Sequence, residues 1–144
     1  MRIERAIEID RPIGEVFDFV ADPRNDPRWC RKVVSVDQVE GEGPGAGSRY
    51  AVVHKPVPGR PARDLDHLCV AFERPHRLQW REDDGTDVSV VEYSLEATPA
   101  GTCFWQRSDA ELGAARLLQP IFRAGIGRDI AGQLRTLKRI LEEP

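Results

Sequence analysis

The sequence predicts an α+β domain in which a curved antiparallel sheet of six or seven strands wraps around one long C-terminal helix. Three features of the 144-residue chain carry that reading. From Val33 to Ala110, apolar residues recur at period two in short segments separated by turn formers. Near the end, Ile126, Ile130, Leu134, Leu137 and Leu141 recur at steps of four, four, three and four, which is one apolar helical seam. Ahead of the sheet, Ile13, Val16, Phe17 and Val20 form a shorter helical stripe. Links this short between strands permit only antiparallel neighbours, because a parallel return needs a crossover of about a dozen residues.

The first strand is expected from Arg2 to Ile9, with Ile3, Ile7 and Ile9 on one side and Glu4 and Glu8 on the other. Asp10 and Pro12 open the first short helix, since proline in a first turn gives up no needed N–H. Ala21-Asp22-Pro23 ends it, because the residue before proline avoids helical geometry. A short polar second segment, Arg24 to Lys32, carries Asp26-Pro27 and Trp29. Strands follow at 33–40, 48–54, 62–73, 77–82, 88–97 and 102–110, broken at 41–47, 56–61, 74–75, 83–85 and 99–101. The last helix is expected over 112–143, with Pro120 kinking or restarting it and Gly125 and Gly127 loosening its first half. No repeat, low-complexity tract or long linker divides residues 1–144, so they form one domain.

Twisted sheets of this size curl, and a lone amphipathic helix can bury its seam only against the concave face. The two short helices then close one end. A helix laid in a curved sheet leaves space beneath it, and any ligand reading depends on unfilled room near Trp29.

Composition narrows the function classes. The 40% apolar and 31% charged residues are those of an ordinary globular protein. A formal charge of −3 and pI near 5.7 argue against nucleic acid as a partner. The N-terminus MRIERAIEID has no apolar signal core, and no run approaches the roughly 18 apolar residues of a membrane span. Cys30, Cys69 and Cys103 are odd in number and widely spaced, which suits reduced thiols and a cytoplasmic location.

Several segments, in this order, resemble the polyketide cyclase/dehydrase-like members of the START/Bet v 1-like (SRPBCC) superfamily. They are Asp10-Arg-Pro-Ile-Gly-Glu-Val-Phe-Asp-Phe-Val-Ala-Asp-Pro23, Pro27-Arg-Trp29, Glu73-Arg-Pro-His-Arg-Leu78, Gly101-Thr102 and Leu134-x-x-Leu137-Lys-x-x-Leu141-Glu142. The resemblance covers essentially the whole chain. It implies the helix-grip fold and an interior cavity for an apolar small molecule, and it is nearly silent on substrate. It also implies that no cofactor and no metal is required.

Candidate site residues follow from facing. Trp29 and Trp80 offer broad apolar contact plus one N–H each for orienting a ligand, and Tyr50 and Tyr93 offer hydroxyls. Each is equally well read as plain core. Phe122, on the loose half of the last helix, is expected at the same cavity. His67 shares a strand face with Cys69, as two metal ligands would, but no third ligand stands at usable spacing. It is read either as a polar handle in the pocket or as an ordinary strand histidine. On the last strand, the resemblance turns Phe104 inward and makes Gln106 a cavity group. Trp105 then lies on the convex face, where an exposed aromatic suggests a homodimer contact. The opposite facing makes Arg107 the anchor instead. Glu92 interrupts an apolar strand: inward, it is a candidate acid or base; outward, with the period-two pattern, it is a surface group. The glycines of Gly41-Glu-Gly43-Pro-Gly-Ala46 lack the following helix that phosphate binding needs, so they form a hairpin loop.

Three functions compete. The first is binding of an apolar molecule such as a lipid, quinone or polyketide. The second is a cyclase/aromatase or dehydrase-type enzyme, for which no catalytic set is nameable from the sequence. The third is a protein-interaction module. Cavity polarity separates the first two: one polar group favours binding, and several convergent titratable groups favour catalysis.

Overall fold

The computed structural model describes residues 1–56, 61–110 and 117–144. Strand β1 (Arg2–Ile9) leads into helix α1 (Ile13–Val20), a 3-10 turn at Pro23–Asn25 and the short helix α2 (Asp26–Trp29). The sheet continues with β2 (Val33–Glu40), β3 (Arg49–His54), β4 (Arg63–Glu73), β5 (Arg77–Asp83), β6 (Val88–Thr98) and β7 (Gly101–Ala110). Helix α3 (Gln119–Glu142) ends the chain. Every pairing is antiparallel, in one seven-stranded sheet of order β1-β7-β6-β5-β4-β3-β2.

This order has a geometric consequence. Strands β1 and β2 stand at opposite edges, so the chain must cross the full width of the sheet between them. The α1–α2 segment makes that crossing. Its inward side chains, Val16, Phe17, Val20 and Trp29, are buried in the same core as Tyr50, Trp80, Leu95 and Phe104 from the strands. From the other side, α3 contributes Ile130, Leu134 and Leu137. Each such side chain, taken fully from water, stabilises by roughly 1.5–3 kcal/mol.

The C-terminal turns of α3 are tied to the β1–α1 corner. Lys138 Nζ donates to the Glu8 carbonyl at 2.8 Å, and the Asp10 N–H donates to the Glu142 carboxylate at 2.9 Å. At the other end, Pro120 takes the second of its two expected outcomes, a helix start rather than a kink. It lies in the first turn, where a missing N–H costs nothing. The part of the expected helix at 112–116 lies outside the described residues. Leu117, Leu118, Ile121 and Phe122 are exposed, so the early apolar stretch is distinct from the buried seam.

One turn shows why particular residues occupy it. Gly101 has φ +148°, and a Cβ there would sit 2.4 Å from the Ile9 carbonyl oxygen. Only glycine lets the β6–β7 turn pass this close to the β1–α1 corner. The next residue, Thr102, then donates its hydroxyl to the Arg11 carbonyl at 2.7 Å and fixes the corner.

Candidate functional site

Antiparallel register sets Tyr50 opposite His67, and His67 opposite Glu82, in one row across β3, β4 and β5. Two residues from Glu82, and so on the same face, Trp80 stacks on the His67 ring with centroids 4.6 Å apart and planes at 22°. Tyr50 meets both rings edge-on, at 6.5 Å and 6.3 Å. On the neighbouring strands, Tyr93 pairs with Gln106 and packs 5.1 Å from Phe104. The crossing segment lowers Trp29 onto this surface, 6.0 Å from Tyr93 and 6.4 Å from Phe104. Asp26 stands one helical turn before Trp29, hence on the same side of α2.

The polar atoms of this interior are its unusual feature. Trp29 Nε1, Trp80 Nε1, Tyr50 Oη, Gln106 Oε1 and Asp26 Oδ1 are buried and make no hydrogen bond of normal geometry among the described residues, although Ser48 stands beside the Tyr50 hydroxyl. Leaving one such atom unpaired costs about 1–3 kcal/mol, and buried polar groups in native proteins are nearly always paired. A core selected only for stability would carry phenylalanine or leucine at these positions.

The charges converge on the same space. Burial raises the Asp26 carboxyl to about 7. Trp29 Nε1 eases its ionisation slightly, without a hydrogen bond of normal geometry. Burial also pushes Glu82 upward, but His67 beside it, with Lys32 and His54, pulls it further down, to about 2. His67 Nδ1 faces Glu82 Oε1 at 3.4 Å. His54, at the end of β3, is held near 4 by burial and by neighbouring cations, including the Arg63 guanidinium 3.4 Å away. Burial and the Asp26 charge raise the Tyr93 hydroxyl and the Cys30 thiol well above their usual values, so both stay protonated.

Among the sequence candidates, Trp29, Tyr50, His67, Trp80, Tyr93 and Gln106 come together here, all buried. Phe122 stands apart from them at the start of α3, 42% exposed. Glu92 is on the convex face, bonded to Arg77 at 3.1 Å and near Arg107 at 3.7 Å. Trp105 shares that face, in a shallow hollow of about 210 Å³ lined also by Glu4, Glu92, Ser94, Glu96 and Arg107. A second, open hollow of about 510 Å³ lies where Asp10–Ile13 meets Ala97–Gly101. Neither hollow is lined by Trp29 or by an unpartnered buried polar atom, so the unfilled room expected near Trp29 is not one of these two.

Sequence reasoning missed Asp26, Glu82 and His54. For Glu82 a signal existed, because alternation from Leu78 and Trp80 puts it on the inward face. The expected strand at 77–82 simply ends on it, next to the turn acids Asp83 and Asp84, and its facing is not followed. Asp26 is read only as part of the short polar segment Arg24 to Lys32, and nothing local marks it as buried.

Sheet order, crossing segment and terminal helix define a helix-grip fold of the START/Bet v 1 type. The chain belongs to the polyketide cyclase / dehydrase and lipid transport family, whose profile matches residues 1–142. No curated protein matches it significantly. Among solved structures, it is similar to protein CV1439 from Chromobacterium violaceum, at 12% identity and TM-score 0.77, covering 99% of each chain. It also matches half of the di-domain ARO/CYC BexL from the BE-7585A biosynthetic pathway, at 18% identity and TM-score 0.79, with 100% of this chain and 50% of that one covered. Ara h 8.0201 gives 17% identity and TM-score 0.72, over 98% and 97% of the two chains. No helix among the described residues is long and apolar enough to cross a membrane.

Proposed function

We propose that the protein binds a largely apolar small molecule, of lipid, quinone or polyketide-like character, on the concave face of its sheet beneath the α1–α2 crossing. The single observation behind this is the set of unpartnered buried polar atoms among the aromatic rings. Trp29 Nε1, Trp80 Nε1 and Tyr50 Oη can donate to carbonyl or hydroxyl oxygens, and Gln106 Oε1 and Asp26 Oδ1 can accept from hydroxyls. The surrounding rings supply apolar contact at low entropic cost. An oxygenated ring system satisfies this set better than a plain acyl chain. Membership of a family that includes cyclases, dehydrases and lipid transporters is consistent with such a ligand.

Native mass spectrometry of protein taken directly from its host is expected to show a co-purifying molecule. Thermal shift with fatty acids, quinones and aromatic polyketides is expected to favour the last two. Trp80→Phe keeps an aromatic ring, though a smaller one, and removes one donor, so affinity for an oxygenated ligand should fall roughly 5- to 20-fold. No co-purifying molecule, together with no shift across the panel, would overturn the reading.

A further inference from the structure

We propose that the outward face of α3 docks on an anionic lipid bilayer, with its first turns entering the headgroup region. The observation behind it is where the exposed apolar surface lies. Eight large apolar side chains among the described residues are exposed, and four of them, Leu117, Leu118, Ile121 and Phe122, fall within six consecutive positions. Single exposed apolar residues are ordinary, whereas a contiguous group marks a contact surface. Every residue from Pro120 to Gly125 is exposed, and full burial begins only at Gly127. The start of α3 therefore stands clear of the sheet, while Ile130, Leu134 and Leu137 hold the rest of the helix in the core.

Charge follows the same face. Successive side chains step about 100° around a helix, so Arg128, Arg135 and Arg139 follow Ile121 at close to whole turns. All three are exposed, on the side opposite the buried seam. In a chain of net charge −3, the stretch from Gln119 to Arg139 holds four arginines and one lysine against Asp129 as its one acid. Arg139 is engaged by Glu143 at 3.2 Å. Arg123, Arg128 and Arg135 have no carboxylate partner among the described residues.

An apolar tip and a basic row on one helix face match an anionic bilayer at both places. The tip enters the apolar boundary of the leaflet, and the guanidinium groups meet lipid phosphates. A second copy of the chain would cover the tip and leave the arginines unneutralised, and a neutral bilayer would do the same. The helix lies along the surface and does not cross it. Its seam stays in the core, and no helix among the described residues is long and apolar enough to span. The contact stands whether or not the interior holds a ligand.

The test is flotation of the full chain with vesicles of phosphatidylcholine alone, and of phosphatidylcholine with about one-third phosphatidylglycerol. Wild type is expected to partition at least about tenfold more strongly onto the anionic vesicles, and roughly 0.5 M salt should remove most of that difference. Ile121→Asp should weaken binding to the anionic vesicles at least about tenfold, because the tip no longer enters the leaflet. Arg128→Glu combined with Arg135→Glu should abolish the preference for anionic vesicles. Val39→Asp, at an exposed apolar position on β2, should bind like wild type. All of these positions are exposed, and circular dichroism and Tm close to those of wild type verify that the fold is kept. Wild type that binds neither kind of vesicle, or both equally, overturns the proposal, as does binding that survives both α3 variants. Light scattering that finds a dimer broken by Ile121→Asp, with no vesicle binding, assigns the face to a second copy instead.

Discussion

Asp26, His54 and Glu82 lie within reach of one another's fields yet titrate in different windows, near 7, 4 and 2. The folded Asp26 value lies above its unfolded 3.8, so the folded state keeps a proton that the unfolded chain releases. Its contribution to stability is complete below pH 4 and is lost as pH rises through 7. His54 runs the other way. Its folded value lies below 6.5, so its contribution is complete above pH 6.5 and is lost as pH falls through 4. The two oppose each other between pH 4 and 7, and wild-type stability alone will look nearly flat there. Asp26→Asn separates them. Its stability relative to wild type is expected to be near zero at pH 4 and to grow to as much as about 4 kcal/mol at pH 8, measured by urea unfolding. A difference that stays constant with pH would mean that Asp26 is not desolvated in the folded protein.

Glycines show how much a single element's context decides. At Gly101 an added Cβ meets the backbone of Ile9 and Arg11 at a positive φ, and neither neighbour can yield. Gly101→Ala is expected to destabilise by about 3 kcal/mol, lowering Tm by roughly 10 °C. At Gly125, on the exposed side of α3, a Cβ would meet nothing within 4 Å. Gly125→Ala should therefore add about 1 kcal/mol through helix propensity alone. Calorimetry on both variants checks the opposite signs. The sequence pattern at Gly101-Thr102 was recognisable, but the reason for it, the passage of the β1–α1 corner, is a contact ninety residues away in the chain. The same divide runs through the site. Period-two alternation grouped the residues that share a strand face, a local property, but which face of β7 points inward, and so the place of Gln106, came from the family resemblance. Asp26 is buried only because the crossing segment is laid over those strands, and no local pattern encodes that. Phe122 illustrates the converse, an apolar residue whose helical position left its exposure undetermined.

At the scale of the whole molecule, the opposed edges β1 and β2 mean that concave and convex faces are chemically separate surfaces. The convex face near Trp105 is an ion-pair network of Glu4, Arg107, Glu92 and Arg77, and the concave face is aromatic and carries the unpartnered atoms. The three tryptophans divide accordingly: Trp29 and Trp80 are 1% exposed on the inside, and Trp105 is outside. A quencher bound in the interior must contact the first two and lie beyond the sheet from the third. Menadione, a naphthoquinone with two carbonyl acceptors, is a suitable probe. Its binding is expected to quench wild type strongly, and Trp105→Phe should be quenched by at least as large a fraction, because the removed ring contributes only unquenched light. Trp80→Phe should lose a large part of the quenching as well as affinity. Ligand at 100 times its Kd should also add about 2.7 kcal/mol to unfolding, since it spans the crossing segment and the strands and is released only when they separate. If quenching instead disappears in Trp105→Phe and persists in Trp80→Phe, the molecule is bound on the convex face, and the interior aromatic cluster is core.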